Sequence, residues 1–428
     1  MAQDSAAPGK MAILVGGGPA PGINAVIAGA AREGLRNGLE VIGCLDGFKW
    51  LIEGDTSHTV NLTYEVVDRS RLRGGSALRT SRENPTRNPE KLDNVVGTLR
   101  KLGVSYLVTI GGDDTAFSAS ETARHAGSAL RVAHVPKTID NDLPLPGNMP
   151  TFGYNTAREV GGELVQNLVE DARTTSRWYI VVAMGRTAGH LALGIGVLSG
   201  SSLTIIPEEF GLTAPTLDSV CSIIEGSMLK SRAMGRDYGV AVVAEGVAER
   251  MVDELKDLPM VEVKRDKHGH VRLAEVPFGL ILKKELQKRA EARGEEETTV
   301  VDVTIGYELR CADPIAFDIE YGQQLGWGAA RYLLRLGEES WGDTGALISV
   351  QSGEVVPIPF ADILDPQTGR TTVRRVNVNS DVYRSARAGM VRLEREDLSE
   401  DAKLAPIAAA AGLTPEEVRS RYGATAVL

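Results

Sequence analysis

Short apolar runs of strand length alternate along the chain with longer amphipathic segments of helix length, and this alternation constrains the fold most strongly. The runs include Met11–Val15, Leu39–Leu45, Tyr106–Ile110, Tyr179–Met184, Leu203–Ile206 and Val240–Ala244. Such alternation predicts an α/β fold in which helices cover a mostly parallel sheet. Ligands of these sheets lie at the carboxyl ends of the strands, so we expect the functional residues in the loops that follow the runs.

Length and charge limit the kinds of function that need to be considered. A chain of 428 residues predicts two or three compact units, and 43% apolar residues are enough for a sizeable core. A net charge of −10 argues against a general surface for nucleic acid or anionic membrane. If the substrates are anions, the site must be cationic against that background.

The cysteines and the apolar runs bear on the compartment. Cys44, Cys221 and Cys311 lie far apart, and no pair has the spacing of a zinc site or a redox motif. We therefore expect a reducing, cytoplasmic setting. The start of the chain lacks the apolar core of a signal peptide and is expected to be flexible over residues 1–10, and no run of about 18 apolar residues predicts a membrane span.

The first run leads into a glycine-rich loop, which begins at Gly16 and includes Gly17 and Gly18. Backbone N–H groups at the start of a helix can bind an anion. The loop lacks the Lys-Ser/Thr pair of a Walker A motif, and Pro21 replaces the third glycine of the dinucleotide fingerprint. A tight turn without a ligand remains an alternative.

A stretch dense in arginine follows, with six arginines and no lysine over residues 69–87. Guanidinium groups bind phosphate oxygens through paired hydrogen bonds, which favours an anion site here. A solvated run of charge is the alternative. The six residues are Arg69, Arg71, Arg73, Arg79, Arg82 and Arg87.

Two later loops carry paired carboxylates at strand ends. Gly111, Gly112, Asp113, Asp114 and Thr115 follow one apolar run, where an acid can stabilise a helix start or hold Mg²⁺ together with substrate phosphates. The next strand, expected to end near residue 135, is followed by Lys137, Thr138, Ile139, Asp140 and Asp142. One of these acids could accept a proton from a substrate hydroxyl, and Lys137 could neutralise a transferring phosphoryl group. An Asx-turn without chemistry is the alternative for the second loop.

Other polar positions carry weaker signals. Polar residues also follow three further strand-like runs. By itself, each of these polar segments is more typical of a turn than of a site. The segments are Met184-Gly185-Arg186, Glu245-Gly246 and Gly306 to Arg310. His268 and His270 lack further ligands at metal-binding spacing, so we expect them at the surface. Near the end, Thr414 as N-cap, Pro415 and Glu417 predict a short terminal helix.

These motifs, in this order, resemble the phosphofructokinase family. The most specific elements are Gly111-Gly112-Asp113 and the run from Thr138 to Asp142, followed by Met184-Gly185-Arg186. The likeness extends over about residues 11–328 and weakly to about 395. It implies two Rossmann-like lobes with mostly parallel sheets, plus a C-terminal helical extension. The expected ranges are a donor lobe at 11–150, a sugar-phosphate lobe at 151–310, returning segments at 311–395 and a C-terminal appendage at 396–428.

The resemblance also implies a role for individual residues. Asp113 would hold Mg²⁺, and Asp140 would take the proton from the 1-hydroxyl of fructose 6-phosphate. Arg177 resembles an arginine that reaches the sugar phosphate bound by a neighbouring subunit. The donor phosphates would be lined by Gly17, Gly18, Arg82, Arg87, Gly112 and Thr115. Fructose 6-phosphate would be contacted by Thr138, Ile139, Asp142, Met184, Gly185, Arg186, Glu245, Tyr307 and Arg310.

Two positions depart from the pattern of many ATP-dependent members. Tyr307 replaces a histidine, and Val301 replaces a second arginine that acts between subunits. Another basic residue could therefore complete the 6-phosphate pocket. A homodimer or a homotetramer is expected from the family, and its interface could also differ.

The expected phosphoryl donor depends mainly on Asp114. Members that resemble this chain at Asp114 and Lys137 use pyrophosphate, although some ATP-dependent relatives share the lysine. A carboxylate at position 114 would repel the α-phosphate of a nucleotide, and like charges about 4 Å apart cost about 4 kcal/mol at an effective dielectric of 20. The expected catalytic residues are Asp140, Asp114, Lys137 and Arg186. An ATP-dependent enzyme, an inactive regulatory subunit and a dinucleotide-binding oxidoreductase are the alternatives, and the last lacks its glycine fingerprint.

Overall fold

The computed structural model describes residues 9–258, 276–295, 299–335, 345–363 and 372–426. The chain divides into two units, of which the first comprises Met1–Ala157 and Tyr307–Arg374. The second comprises Arg158–Gly306 and Arg375–Leu428. The expected polar excursion with His268 and His270 lies outside the described residues.

Most of the strands follow the apolar runs of the sequence closely, with shifts of one or two residues at their ends. They are β1 Lys10–Val15, β2 Glu40–Cys44, β3 Thr59–Asn61, β4 Val104–Gly111, β5 Arg131–Pro136, β6 Trp178–Ala183, β7 Leu203–Ile205, β8 Gly239–Ala244, β9 Val300–Ile305, β10 Ala346–Gln351 and β11 Glu354–Pro359.

The helices occupy the amphipathic segments between the strands and most of the C-terminal region. They are α1 Ile23–Arg36, α2 Lys49–Ile52, α3 Tyr64–Ser70, α4 Pro89–Lys101, α5 Asp113–Ala126, α6 Tyr154–Thr175, α7 His190–Ser199, α8 Leu217–Ala233, α9 Glu245–Arg250, α10 Val252–Leu255, α11 Phe278–Ala292, α12 Ala316–Leu334, α13 Phe360–Ile363, α14 Asp381–Ala388, α15 Arg395–Ser399, α16 Asp401–Ala411 and α17 Pro415–Tyr422.

The first unit contains a seven-stranded sheet with the order β11-β10-β5-β4-β1-β2-β3. Its five inner strands are parallel, and the edge strands β3 and β11 are antiparallel to their neighbours. Alternate residues of β1 face opposite sides, because side chains in a strand have a period of two. Met11 and Ile13 pack in a core with residues of α1 and α12, whereas Ala12 and Leu14 pack with residues of α4 and α5.

The second unit contains a four-stranded, fully parallel sheet with the order β7-β8-β6-β9. Trp178, Ile180 and Val182 of β6 belong to a buried core with residues of α8 and α11. The fold expected from the sequence, α/β with mostly parallel sheets in two lobes, is confirmed.

The C-terminal helices pack on α8 of the second unit through a small apolar core that includes Leu229, Leu404 and Tyr422. The expected terminal helix is confirmed as α17: the Thr414 hydroxyl accepts from the Glu417 N–H at 3.3 Å, and the Glu417 carboxylate accepts from the Thr414 N–H at 2.7 Å. This reciprocal pair is a capping box. In the described parts of the chain, no helix is both long and apolar enough to cross a bilayer.

Candidate active site

Three of the loops that the sequence singled out lie at one edge of the first sheet. Strands β1, β4 and β5 are parallel neighbours, and their registers pair Val15 with Ile110 and Gly111 with Pro136. The residues after these strands are the glycine loop, the Gly112–Thr115 turn and the loop of Asp140. The sequence therefore located these loops correctly, because parallel strands end together at the same edge.

The glycine loop is surrounded by cationic side chains of the first unit. Lys137 is buried, and its ammonium group donates a hydrogen bond to the carbonyl of Gly18. A side chain at position 18 would overlap the guanidinium of Arg310, so glycine is needed there for the close approach. Burial, and next the positive charge of Arg82, lower the pKa of Arg310, while the carboxylate of Asp140 acts in the opposite direction. Two cationic groups therefore lie at the glycine loop of an acidic protein.

Five of the six arginines in the arginine-rich stretch fall into two groups in the structure. Arg69, Arg73 and Arg79 form ion pairs with carboxylates, at 2.6 Å to Glu65, 3.3 Å to Asp313 and 2.7 Å to Asp46. Arg82 and Arg87, the two expected at the donor phosphates, are exposed. Part of the pattern that favoured an anion site therefore serves surface ion pairing.

Helix α5 begins at the Gly112–Thr115 turn. Gly112 is the N-cap, Asp113 and Asp114 occupy the first turn, and the carboxylates there favour the positive end of the helix dipole. Asp113 is half-buried and Asp114 is exposed. Thr115 is buried, and its side chain lies where any side chain at Gly111 would have to go. The turn is consequently fixed by close packing against β4.

The donor atoms at this turn fit a metal ion that is bound together with phosphate. Within the described residues, no group of three or more His, Cys, Asp or Glu side chains could form an all-protein metal site. Mg²⁺ is commonly held by one or two carboxylates plus substrate phosphates. The half-buried carboxylate of Asp113, at the start of a helix that also favours phosphate, matches that mode.

The loop that carries Asp140 is buried and bound within the first unit. The Asp140 N–H donates to the Thr138 hydroxyl at 3.0 Å, and the Thr151 hydroxyl donates to the Thr138 carbonyl at 2.8 Å. Asn141 has a φ of 56°, in the left-handed region that asparagine tolerates better than most residues. Asp140, Asn141 and Asp142 are each less than a tenth exposed, so the loop holds two carboxylates away from bulk water.

Two residues that the sequence did not single out hold the backbone around this loop. Arg374 donates to the Asn141 carbonyl at 3.0 Å and to the Met149 carbonyl at 2.8 Å. Fully buried Asp318 accepts from the Gly153 N–H at 2.8 Å and from the Thr156 N–H at 2.7 Å. No spacing or local motif marks either residue, because their partners are more than 150 positions away in the chain.

His134 is a further residue without a role in the sequence-based interpretation. It is fully buried in β5, with Nδ1 2.9 Å from the Thr109 hydroxyl and Nε2 3.1 Å from the Gly111 carbonyl. Since a carbonyl only accepts, we assign the proton to Nε2 and the acceptor role to Nδ1. Burial lowers the pKa of His134 to about 3, so the ring is neutral. It binds the last carbonyl of β4, next to the Asp113 turn.

In the second unit, the loop after β6 is held by a carboxylate from the end of β8. Glu245 is buried, and its Oε1 accepts from the Gly185 N–H at 3.0 Å and from the Arg186 N–H at 2.8 Å. Burial raises the pKa of Glu245, opposed by these two hydrogen bonds. Arg186 has a φ of 49° and an exposed side chain. Glu245 therefore shapes the loop that presents Arg186, a contact that the sequence did not indicate.

The expected sugar-phosphate residues are divided between the two units. Thr138, Ile139, Asp142, Tyr307 and Arg310 belong to the first, and Tyr307 is 66% exposed with its ring centre 5.5 Å from Arg310 Cζ. The second contains Arg177, Met184, Gly185, Arg186 and Glu245.

Three further predicted positions of the second unit lie in or next to β6 and β9. Arg177 is half-buried just before β6, and Val301 is half-buried within β9. The Met184 N–H donates to the Ile305 carbonyl at 3.0 Å, and the Met184 side chain packs on Gly306. The expected roles of all these residues remain predictions.

The fold defines an α/β protein with mostly parallel sheets, and comparisons with known proteins assign its family. Residues 10–333 match the family model described as Phosphofructokinase. The chain belongs to the phosphofructokinase family, which confirms the resemblance seen in the sequence.

Individual relatives match over nearly the whole chain. A protein of Thermotoga maritima named pyrophosphate–fructose 6-phosphate 1-phosphotransferase is 53% identical, over 98% of this chain and 99% of its own length. A Naegleria fowleri protein of the same name is 49% identical, over 96% and 94%. The crystal structure of a pyrophosphate-dependent phosphofructokinase from Nitrosospira multiformis superposes with a TM-score of 0.65 at 17% identity, over 90% of this chain and 92% of that one. That structural likeness bears on the fold.

Proposed function

We propose that the protein transfers a phosphoryl group reversibly from pyrophosphate to the 1-hydroxyl of fructose 6-phosphate, giving fructose 1,6-bisphosphate and phosphate. One observation carries this proposal: Lys137 and Arg310 lie at the glycine loop of the first unit. The charges of Arg82 and Asp140 both act on Arg310, so a cation-rich loop and a carboxylate are close to each other. Cations suit a diphosphate, and a sheltered carboxylate suits a general base. Two relatives that match nearly the full chain bear the name of this reaction.

In the forward direction, Asp140 accepts the proton of the sugar 1-hydroxyl. The hydroxyl oxygen forms a bond to the terminal phosphorus of pyrophosphate, and the bond from that phosphorus to the bridging oxygen breaks. Phosphate leaves with the bridging oxygen and its electron pair. Lys137, whose ammonium group is fixed on the glycine loop, neutralises charge on the transferring and leaving groups.

The metal required by this chemistry is Mg²⁺, and Asp113 is the residue that would hold it. When bound with the donor, the ion supplies positive charge to the phosphate oxygens. The half-buried position of Asp113 at the start of α5 supports this role. The protein residues do the rest: the glycine loop and Arg82 orient the donor, and Asp140 moves the proton.

Asp114 selects pyrophosphate over ATP in this proposal. Its side chain is exposed in the first turn of α5, one residue beyond Asp113. A carboxylate there opposes the α-phosphate of a nucleotide, and a repulsion of about 4 kcal/mol corresponds to roughly a thousandfold preference. Pyrophosphate has no third phosphate to encounter this charge.

The family resemblance assigns two sets of residues to fructose 6-phosphate. One set is Thr138, Asp142, Tyr307 and Arg310, and the other is Met184, Arg186 and Glu245. Arg177 serves the sugar phosphate of a neighbouring copy, in a homodimer or homotetramer. The enzyme works in the cytoplasm. Cys44 and Cys221 are buried free thiols, and burial raises the pKa of each to about 12.

A donor-swap assay tests this proposal. Purified protein with fructose 6-phosphate and Mg²⁺ receives pyrophosphate or ATP, and fructose 1,6-bisphosphate is measured. We expect turnover with pyrophosphate and little with ATP. Preferred use of ATP, or no turnover with either donor, would overturn the proposal.

The Asp114→Gly variant sharpens the assay. It should lose most pyrophosphate turnover, and the ratio of kcat/KM for ATP to that for pyrophosphate should rise by up to about a thousandfold. Asp381→Gly is the matched control, since Asp381 is also an exposed acid in the first turn of a helix. Unchanged pyrophosphate kinetics in Asp114→Gly would remove this residue from donor selection.

A further inference from the structure

We propose that Arg374 is a positioning residue that sets the geometry of the loop from Thr138 to Asp142 and thereby the placement of its two carboxylates. The inference rests on the proposed function, in which Asp140 is the general base. Arg374 itself is assigned no contact with substrate.

The contacts of Arg374 converge on the centre of this loop. Its Nε donates to the Asn141 carbonyl at 3.0 Å, and one terminal nitrogen donates to the Asn141 side-chain oxygen. The other terminal nitrogen donates to the Met149 carbonyl at 2.8 Å, and the Arg374 N–H donates to the Asp142 carbonyl at 2.7 Å. A planar guanidinium with a fixed fork of donors is suited to hold several oxygens in one arrangement.

The residue that Arg374 binds most extensively has an unusual backbone. Asn141 has a φ of 56°, which lets the chain reverse between Asp140 and Asp142. Its side-chain oxygen also accepts from the Thr151 N–H at 3.1 Å. Asn141 is thus bound at its carbonyl by Arg374 and at its side chain by both partners, so its peptide orientation is over-determined.

The placement of both carboxylates depends on this peptide. Asp140 and Asp142 flank Asn141 directly, so a rotation about the Asn141 backbone would displace one carboxylate relative to the other. A displacement of about 1 Å in a reacting group can cost about a hundredfold in rate. Removal of the Arg374 side chain takes a donor from three oxygens at once, although the Asn141 side-chain oxygen keeps the Thr151 N–H, and the loss should reach that range.

Charge supports the same arrangement. Burial lowers the pKa of Arg374, and the carboxylate of Asp142 opposes that effect by stabilising the cation. A half-buried cation that acts on the buried carboxylate of Asp142 offsets part of the cost of burying that charge. A neutral residue of similar length would offer neither the charge nor the donors.

Kinetics of Arg374→Ala test the inference, with Arg374→Lys as the conservative variant. We expect kcat of Arg374→Ala to fall by about a hundredfold, while KM for pyrophosphate stays within about threefold. Arg374→Lys keeps the charge but not the fork, so its kcat should lie between the two. Added guanidinium ion, well below denaturing concentrations, should raise kcat of Arg374→Ala and leave the wild type unchanged.

The matched control is Arg124→Ala, which removes an exposed arginine of the first unit that pairs with Glu121 on its own helix. Thermal unfolding of every variant ensures that kinetics are measured on folded protein. A kcat of folded Arg374→Ala within about threefold of the wild type would overturn the inference. The inference would also be overturned if guanidinium did not restore kcat and the KM values for both substrates rose by the same factor as kcat fell. If the wild type itself lacks the reaction, the proposed function fails, whereas an active wild type with an active Arg374→Ala refutes only the positioning role.

Discussion

The loop of Asp140 in the first unit and the loop of Arg186 in the second solve the same structural problem with opposite charges. Each follows a buried parallel strand, and each contains a residue with positive φ, 56° at Asn141 and 49° at Arg186. In the first, a cation, Arg374, binds backbone carbonyls. In the second, a carboxylate, Glu245, binds backbone N–H groups.

The difference teaches which side chain can hold a strand-end loop. A residue with positive φ turns either carbonyl or N–H groups of the loop inward. A buried carbonyl needs a hydrogen-bond donor, and a buried N–H needs an acceptor. The loop that presents carboxylates, Asp140 and Asp142, is held by a cation. The loop that presents a cation, Arg186, is held by an anion. In each case the holding residue also balances the charge that its loop displays.

The largest expected effect comes from removal of the acid that the first loop displays. Asp140→Ser should lower kcat by about a thousandfold or more, because a positioned general base contributes about 10² to 10⁴ in rate. Binding of fructose 6-phosphate, measured by calorimetry, should change little. Asp68→Ser removes an exposed acid paired with Arg32 and serves as control. A near-normal kcat would show that Asp140 is not the base.

The corresponding change in the second loop should act on the sugar rather than the donor. Arg186→Ala should lower kcat/KM for fructose 6-phosphate by about 10- to 100-fold, since hydrogen bonds to charged groups contribute about 1.5–3 kcal/mol. KM for pyrophosphate should stay near its wild-type value. Arg384→Ala, at an exposed pair with Asp381, is the control. A loss confined to pyrophosphate would contradict the assignment of this loop.

The contribution of Glu245 as a hydrogen-bond acceptor can be measured separately from the contribution of its charge. Glu245→Ala leaves the buried Gly185 N–H and the partly buried Arg186 N–H without their acceptor and should lower the free energy of unfolding by about 2 kcal/mol or more. Glu245→Gln keeps an acceptor oxygen and should lose much less. Denaturant titration measures both. A glutamine variant as unstable as the alanine variant would mean that the charge, rather than the acceptor, holds the loop.

The pH dependence of these variants follows from the raised pKa of Glu245. Burial disfavours its ionised form in the folded state, so the stability it contributes is complete below its ordinary pKa and is lost as the pH rises through the raised value. Glu245→Gln lacks this titration, so its melting temperature should gain on the wild type as the pH increases. An opposite trend would show that the hydrogen bonds outweigh burial.

A second pH trend, of the opposite sign, is expected from His134 in β5. The pKa of His134 is lowered to about 3, so its contribution to stability is complete above 6.5 and is lost as the pH falls. The unfolding equilibrium constant should rise by up to about tenfold for each pH unit below 6.5. His134→Gln, which retains an N–H donor for the Gly111 carbonyl, should show a shallower decline in urea titrations at pH 7 and 5. His125→Gln, at an exposed histidine, is the control, and parallel curves for wild type and His134→Gln would contradict the prediction.

Local pattern was enough to predict which strands the candidate loops follow. Strand-length runs bounded by glycine placed Gly17, Gly112 and Gly185 at strand ends, and the structure confirms that β1, β4 and β6 end one or two residues before them. The capping residues around Thr414 likewise predicted α17. These predictions succeed because a strand end or a helix cap depends on residues within a few positions of one another.

Local pattern failed where a charged residue's partner is distant. Six arginines looked alike in the sequence, yet Arg73 pairs with Asp313 and Arg79 with Asp46. Only the folded chain distinguishes these from Arg82, because the choice depends on which carboxylate the tertiary structure brings within reach. A run of residue types contains no information on a partner 240 positions away.

By itself, the sequence determined the α/β class, the family and the positions of the candidate site loops. The tertiary structure alone decided how those loops are held: by Arg374 and Asp318 in the first unit, by Glu245 in the second, and by neutral His134 beneath the Asp113 turn. The physical reason is that strand and turn formation is a local property of the chain. Satisfying a buried peptide group instead requires whichever side chain the assembled sheet and helices place within about 3 Å.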